Sequence, residues 1–364
     1  MNLDPPRCTL WTAVAAWSAV SLLAAVRLAA QPDEPLLGAG AEPAAPARTA
    51  THRLTFENDA LIGTDRGYTN GLQYSRMRPR FEGLPSWARP FLGRFTLCSD
   101  AAPPAELPPV DAEEGPDRGC YRVNSGFLLG QLIYTPEDLT RRDLIADDRP
   151  YAGWLYGGVV TELIHSSRRR MHRFEAQIGV LGPESQADEA QILVHEAFGF
   201  TRPQGWANQV DTRLGAEIEY DWTYNLLKLD RHERRLFDVH LGLGATAGNV
   251  FANARASLLG RIGLNLSDVF PETIEPVALT LDDVEAYLFA RVVAKGVLIN
   301  ETIEGSPRHL LEIEELVNDL VAGFVLRLGG YSLAYSAVTR SDEYRPGGRQ
   351  HRYGSLSFSW HRSF

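Results

Sequence analysis

Two stretches of the sequence hold residue types suited to hydrolytic chemistry. In "FENDALIGTDRGYTNGLQYS", residues 56–75, Asn58 and Asp59 end one short alternating run and Thr69 begins another. In "QILVHEAFG", a stretch that reads as a short helix, stands His195. A carboxylate such as Asp59 is the hard oxygen donor that calcium prefers, and a carboxamide such as Asn58 can donate to an oxyanion. An imidazole accepts a proton near neutral pH. Each residue also has a plainer reading. An Asn-Asp pair at a strand end makes a turn, and a lone histidine on a helix belongs to its surface. "HEAFG" lacks the second histidine of a zinc HExxH motif, and the chain has no G-x-S-x-G elbow to supply a serine nucleophile. The choice depends on whether the fold brings the two stretches to one place.

The elements that must do so are strands. "YGSLSFSWHRSF" places Leu356, Phe358, Trp360 and Phe364 on one face and Ser355, Ser357, Ser359 and Ser363 on the other. In "FDVHLGLGAT", Phe237, Val239, Leu241 and Leu243 oppose Asp238, His240, Gly242 and Gly244, and in "ANARASLLGRIGLNL" the residues Asn253, Arg255, Ser257, Arg261 and Asn265 share a side. Strands are expected at 51–57, 68–78, 124–134, 151–165, 171–182, 212–227, 232–247, 251–266, 283–299, 315–328, 330–341 and 350–364. A soluble sandwich alternates in the same way, but these runs are long, rich in Gly and Tyr, and charged opposite their apolar face. The expectation is an all-β fold, a transmembrane antiparallel β-barrel of about twelve strands with a short helix in an extracellular loop. Phe364 ends the last strand as an aromatic, as in many outer-membrane barrels. "LLEIEELV", within 300–320, reads as the beginning of a helical turn.

Ahead of the strands, residues 1–30 have the layout of a secretory signal peptide, with Arg7 before an apolar run and Ala29 and Ala30 at its end. Residues 31–50, rich in Pro, Ala and Gly, read as a flexible linker, and 51–364 as the barrel. With Cys8 in the leader, the exported chain keeps Cys98 and Cys120, an even count that favours a disulfide outside the cytosol. A net charge of −10 over 364 residues argues against a nucleic-acid partner.

With both termini periplasmic, connections from odd to even strands share the extracellular rim. Residues 58–67, 135–150 and 183–211 then lie together, and the Cys98–Cys120 segment lies on the periplasmic side. Alternation along 68–78 places Thr69 with Gly71, Gln73 and Ser75 toward the lumen, and Asp59 also points inward if the first strand continues.

The combination of "FENDALIGTDRGYTNGL", "DDRPYAGW" at 147–154 and "GVLGPESQADEAQILVHEAFGFTRPQGWANQ" at 179–209 resembles the outer-membrane lipid A 3'-O-deacylases of Gram-negative bacteria and their wider family. In architecture the resemblance covers most of 51–364, and its specific motifs lie in the first half. It implies a barrel in the bacterial outer membrane that depends on calcium and hydrolyses the 3'-linked acyloxyacyl group of lipid A at a site on the extracellular side. By motif, the family's functional residues fall on Asn58, Asp59, Thr69 and His195. The family is thought to work like secreted phospholipases, with histidine activating water and calcium polarising the carbonyl. Asp59 is the expected calcium ligand. Arg149 and Tyr151 read first as structural, beside Pro150 and Gly153 at a strand start, and Arg66 as a solvated loop residue, with contact to the substrate as the alternative for all three. The expected partners are lipopolysaccharide, the outer-membrane bilayer and, through the C-terminal strand, the barrel assembly machinery. Two rivals stay open. One is an outer-membrane phospholipase using a serine beside a histidine, for which "IHSS" at 164–167 is the nearby candidate; the other is a barrel that binds or conducts solutes without catalysis.

Overall fold

The structure is a computed structural model that describes residues 49–62, 67–80, 84–97, 120–165, 169–231, 234–267 and 284–363. The leader, nearly all of the linker, Arg66, Cys98 and Phe364 lie outside the described residues. Cys120 is disulfide-bonded.

In chain order the strands are β1 (Thr49–Asn58), β2 (Gly67–Arg80), β3 (Arg122–Thr135), β4 (Ala152–His165), β5 (Arg170–Leu181), β6 (Arg213–Arg231), β7 (Arg234–Gly248), β8 (Phe251–Leu264), β9 (Val284–Asn300), β10 (Glu312–Ile313), β11 (Leu316–Leu328), β12 (Tyr331–Arg340), β13 (Tyr344–Arg345) and β14 (His351–Ser363). Twelve of them close into an antiparallel barrel in the order β1-β14-β12-β11-β9-β8-β7-β6-β5-β4-β3-β2, and β10 pairs with β13 in a separate two-stranded sheet. Closure pairs every barrel strand on both sides, which removes the open edges that a membrane does not tolerate. Among the described residues no helix is long and apolar enough to cross a membrane.

Period-two patterning assigns the faces. Leu129, Ile178, Leu243, Ile262, Leu288 and Leu320 point outward and are exposed, an apolar belt far broader than a water-soluble surface carries. The inner face is charged and paired: Arg173 with Glu162 and Glu175, Arg255 with Asp221, Arg327 with Glu285, Arg340 with Asp319. Toward the rim formed by the odd-to-even connections the interior is a packed core. Tyr68, Tyr134, Trp154, Tyr156, Val250, Val338 and Tyr353 form one buried cluster drawn from around the barrel. Trp154 of β4 reaches Phe251 of β8 at 6.5 Å between ring centroids.

Two connections fold back over the outer wall. Residues 182–212, between β5 and β6, include the helix Ala187–Phe198 and cover the wall at one end of β3 and β4. At the other end, Leu84, Ala88 and Leu92 of the long β2–β3 connection pack on Val123 of β3, Leu163 of β4 and Phe174 of β5.

Two local expectations are corrected. "LLEIEELV" is not helical: the helical turn comes earlier, at Glu301–Glu304, and Glu312–Ile313 is extended against Tyr344–Arg345. Nor does alternation run unbroken through β2. A bulge lies between Tyr68 and Asn70 in its pairing with β3, so Thr69 is an extra residue in the ladder. Tyr68 therefore turns inward, where its hydroxyl donates to Glu57 Oε2 at 2.7 Å.

Candidate active site

A lateral row of residues on the outer wall defines the site. Gly354, Asn58, Asn70, Ile133 and Gly153 are successive register partners across β14, β1, β2, β3 and β4. Each shares its strand's outward face, with Phe358, Phe56, Leu72, Leu129 and Leu155 respectively. Both ends of the row are covered. A Cβ added to Gly354 would collide with Leu61, in the 3-10 turn Asp59–Ile62, and a Cβ added to Gly153 would collide with Ser185 and Ala187. Glycine at these two positions lets chain segments sit directly on the wall. Asn58 and Asn70 lie between them.

The segment over Gly153 carries His195. Gly182, at φ +90°, turns the chain out of β5 and donates its N–H to Gly153 O at 2.9 Å. Gln131 of β3 donates to Ser185 O at 2.7 Å, which holds the loop to the outer face. Helix residues Ala187, Gln191 and His195, spaced by four, form the buried face, while Leu193 is exposed. Ala187 packs with Ile133, Tyr151 and Trp206. Trp206 Nε1 donates to Gln191 Oε1 at 2.8 Å, and the Trp206 ring lies 4.8 Å from that of Tyr151.

His195 is 5% exposed, with its ring edge-on to Phe200 at 5.7 Å. The helix ends at Gly199, φ +70°, which curls the chain back so that Thr201 O meets His195 Nδ1 at 2.5 Å. A carbonyl only accepts, so Nδ1 carries the proton and the neutral ring keeps its lone pair on Nε2. Among the described residues Nε2 has no hydrogen-bond partner.

The structure thus brings Asn58, Asp59 and the helix of His195 to one end of the barrel, on its outer side. Asp59 is 1% exposed. β1 stops at Asn58 and Asp59 begins the 3-10 turn, so the expectation that strand alternation carries Asp59 into the lumen does not apply. For Thr69 the bulge removes the same alternation argument. Arg149 is buried in a structural network: its guanidinium donates to Glu343 at 2.6 Å and Thr302 at 2.8 Å and lies 4.2 Å from the Tyr134 ring centroid. Burial disfavours the ionised Glu343, but Arg149, Arg340 and His351 outweigh it and hold the carboxyl well below the usual carboxylate range. Tyr151 is also buried, among Ile133, Ala187 and Trp206, and burial pushes its hydroxyl up to about 12. Through Trp206 and Gln191 it supports the helix of His195. Asn70, Gln191 and Trp206 escaped the sequence reading. Asn70 lay within the expected strand 68–78, next to Thr69, and was given no role there.

The sequence profile of the outer membrane protein LpxR matches residues 16–362. The chain belongs to the LpxR family. It is an outer-membrane barrel, in a family of lipid A deacylases. Among solved structures, LpxR from Salmonella typhimurium superposes with a TM-score of 0.64 at 18% identity, covering 85% of this chain and 99% of that one. The β domain of the Bordetella autotransporter BrkA gives a TM-score of 0.39 at 10% identity, with 86% and 98% covered. The translocator domain of NalP from Neisseria meningitidis gives 0.35 at 9%, with 96% of each covered. No curated protein matches.

Proposed function

We propose that this protein is a calcium-dependent ester hydrolase that removes the 3'-linked acyloxyacyl group of lipid A, with its site on the extracellular side of the outer membrane. The observation that supports this most is the position of His195. An imidazole with its proton fixed on Nδ1 and its Nε2 lone pair open is held on the lipid-facing wall, at the same rim as Asn58 and Asp59. A lumenal site would suit a water-soluble solute. A site on the outer wall suits a substrate anchored in the leaflet.

Among the described residues no group of three acidic, histidine or cysteine side chains could hold a metal ion. The oxygens available, one buried carboxylate at Asp59 and the neighbouring amides, fit a hard cation such as calcium better than zinc. Asp59 would hold it, with Thr69 placed beside it by the family resemblance. Bound there, calcium supplies polarisation of the ester carbonyl. The chain's own residues do the rest. His195 Nε2 takes a proton from water as the water oxygen attacks the ester carbonyl, the Asn58 amide donates to the oxyanion, and His195 returns the proton to the departing alkoxide oxygen.

The rivals fare less well. His165 of "IHSS" lies at the opposite end of β4, edge-on to Tyr121 at 4.9 Å. A conducting barrel conflicts with the aromatic core in the lumen. The test offers purified barrel lipid A and phospholipid side by side, with calcium or with chelator, and follows products by mass spectrometry. The expected result is loss of the 3' acyloxyacyl group from lipid A in the calcium arm only. Release of phospholipid acyl chains instead would defeat the proposal.

A further inference from the structure

The outer face of β2 is apolar or aromatic below the site, at Leu72 and Tyr74, and then changes at Asn70. Asn70 is 5% exposed, and its Oδ1 has no hydrogen-bond partner among the described residues. Its lateral neighbours are Asn58, which precedes Asp59 in the chain, and Ile133, which packs under Ala187. A buried carboxamide oxygen with nothing to accept from is unfavourable, most of all in a wall that faces lipid. Such an oxygen calls for a ligand that brings a donor or a positive charge. The bulge at Thr69 makes the placement possible, because the extra residue lets Tyr68 turn inward to Glu57 while Asn70 stays outward beside Asn58.

We propose that Asn70 is a further ligand residue of this site, its Oδ1 supplying a neutral oxygen to the hard divalent cation beside Asp59. The inference rests on the calcium reading above. It assigns the two asparagines opposite duties: the Asn58 amide donates to the substrate, and the Asn70 oxygen accepts the cation.

The experiment uses the purified mature barrel in detergent, with calcium alone as the probe, titrated calorimetrically into wild type, Asn70→Ala and Asn70→Asp. Heat-modifiable gel mobility serves as the folding control. Asn70→Ala is expected to raise the calcium Kd at least 10-fold, since even groups behind a metal's ligands commonly cost 10-fold to 100-fold in affinity. Asn70→Asp keeps the oxygen and adds charge, so it is expected to bind calcium more tightly than wild type. An unchanged Kd in Asn70→Ala, or a weakened one in Asn70→Asp, overturns the assignment. Should Asn70→Ala not fold, the Asp variant alone decides. An unchanged Kd with a raised KM for lipid A would make Asn70 a substrate contact instead. If wild type itself binds no calcium, the calcium reading fails and takes this inference with it; if wild type binds and Asn70→Ala binds equally, only the inference fails.

Discussion

The two connections that fold back on the barrel cover opposite ends of the same wall, and each covered end has a histidine, His172 in the wall itself at one and His195 on the covering helix at the other, but the histidines are held differently. At the end covered by Leu84, Ala88 and Leu92, His172 of β5 has both ring nitrogens engaged, Nδ1 with the Tyr220 hydroxyl at 2.7 Å and Nε2 with the Tyr121 hydroxyl at 3.4 Å. Its surroundings are aromatic, with Trp87 and Phe91 lying 5.7 and 4.7 Å from Phe174. At the other end, among the described residues, His195 engages one nitrogen only, and Asn70 beneath the same rim keeps a carboxamide oxygen with no partner. At the first end the histidine itself is fully engaged. The other end leaves hydrogen-bonding capacity unused, which is what distinguishes a site from packing when residue types look alike.

The sharpest way to break this contrast is to remove each histidine in turn. His195→Ala should lower deacylation per folded molecule by about 100-fold to 10,000-fold, the usual worth of a general base, with heat-modifiable mobility intact. His172→Ala should leave that rate nearly unchanged and lower the temperature at which the folded band is lost. Equal effects on the rate would erase the distinction.

Next in size is the network behind the site. Glu343→Gln leaves the buried Arg149 without its counter-charge and should cost about 3–5 kcal/mol in urea-induced unfolding. Because the folded-state pKa of Glu343 is depressed, its stabilisation is full above the unfolded value and is lost as pH falls through the folded one. The deficit of the variant should therefore be largest near neutrality and shrink below about pH 4. A deficit that grows with acidity would reverse the sign proposed here.

Gly153→Val tests whether the helix must lie directly on the wall. Its side chain would push Ser185 and Ala187 outward, and a misplacement of about 1 Å commonly costs on the order of 100-fold in rate. The equivalent change at Gly157, on the same outward face but away from the loop, supplies the comparison: it should be nearly silent in the same assay. Smallest is Trp206→Phe, which strips the donor from buried Gln191 and should cost about 1–3 kcal/mol of stability. A much smaller loss would show that the Trp206–Gln191 bond does not hold the helix.

Much of the barrel was legible from alternation. The run read as 124–134 is Arg122–Thr135, and the one read as 212–227 is Arg213–Arg231. Side chains of β7 and β14 fall on the expected faces, because lipid and lumen impose opposite polarities on alternate residues. The faces near the rim were not legible, for two physical reasons. A bulge adds one residue with no signature in polarity, which hid the inward turn of Tyr68, whereas Asn70 keeps the face that alternation gives it with Leu72 and Tyr74. Alternation also distinguishes two faces without saying which one a loop will cover, so the covering of the outer wall over Gly153 and Gly354 was not foreseen. Gly153 and Gly354 held that information, but a glycine in a strand signals close approach without naming what approaches.

The packed aromatic cluster from Tyr68 to Phe251 lies inside the barrel, and the row through Asn58 and Asn70 lies on the other side of the wall. On the reading proposed above, a lipid substrate would reach Asn58 and His195 sideways, by drifting in the plane of the leaflet, and the lipid product would depart the same way. The concentration governing such an encounter is a mole fraction among neighbouring lipids, and bulk molarity has little bearing on it. Diluting the substrate with inert lipid in a vesicle of fixed total content should therefore slow turnover, whereas diluting the whole vesicle suspension, with barrel and substrate in one membrane, should leave the rate per barrel unchanged. On that reading, crowding within the leaflet would set the protein's pace.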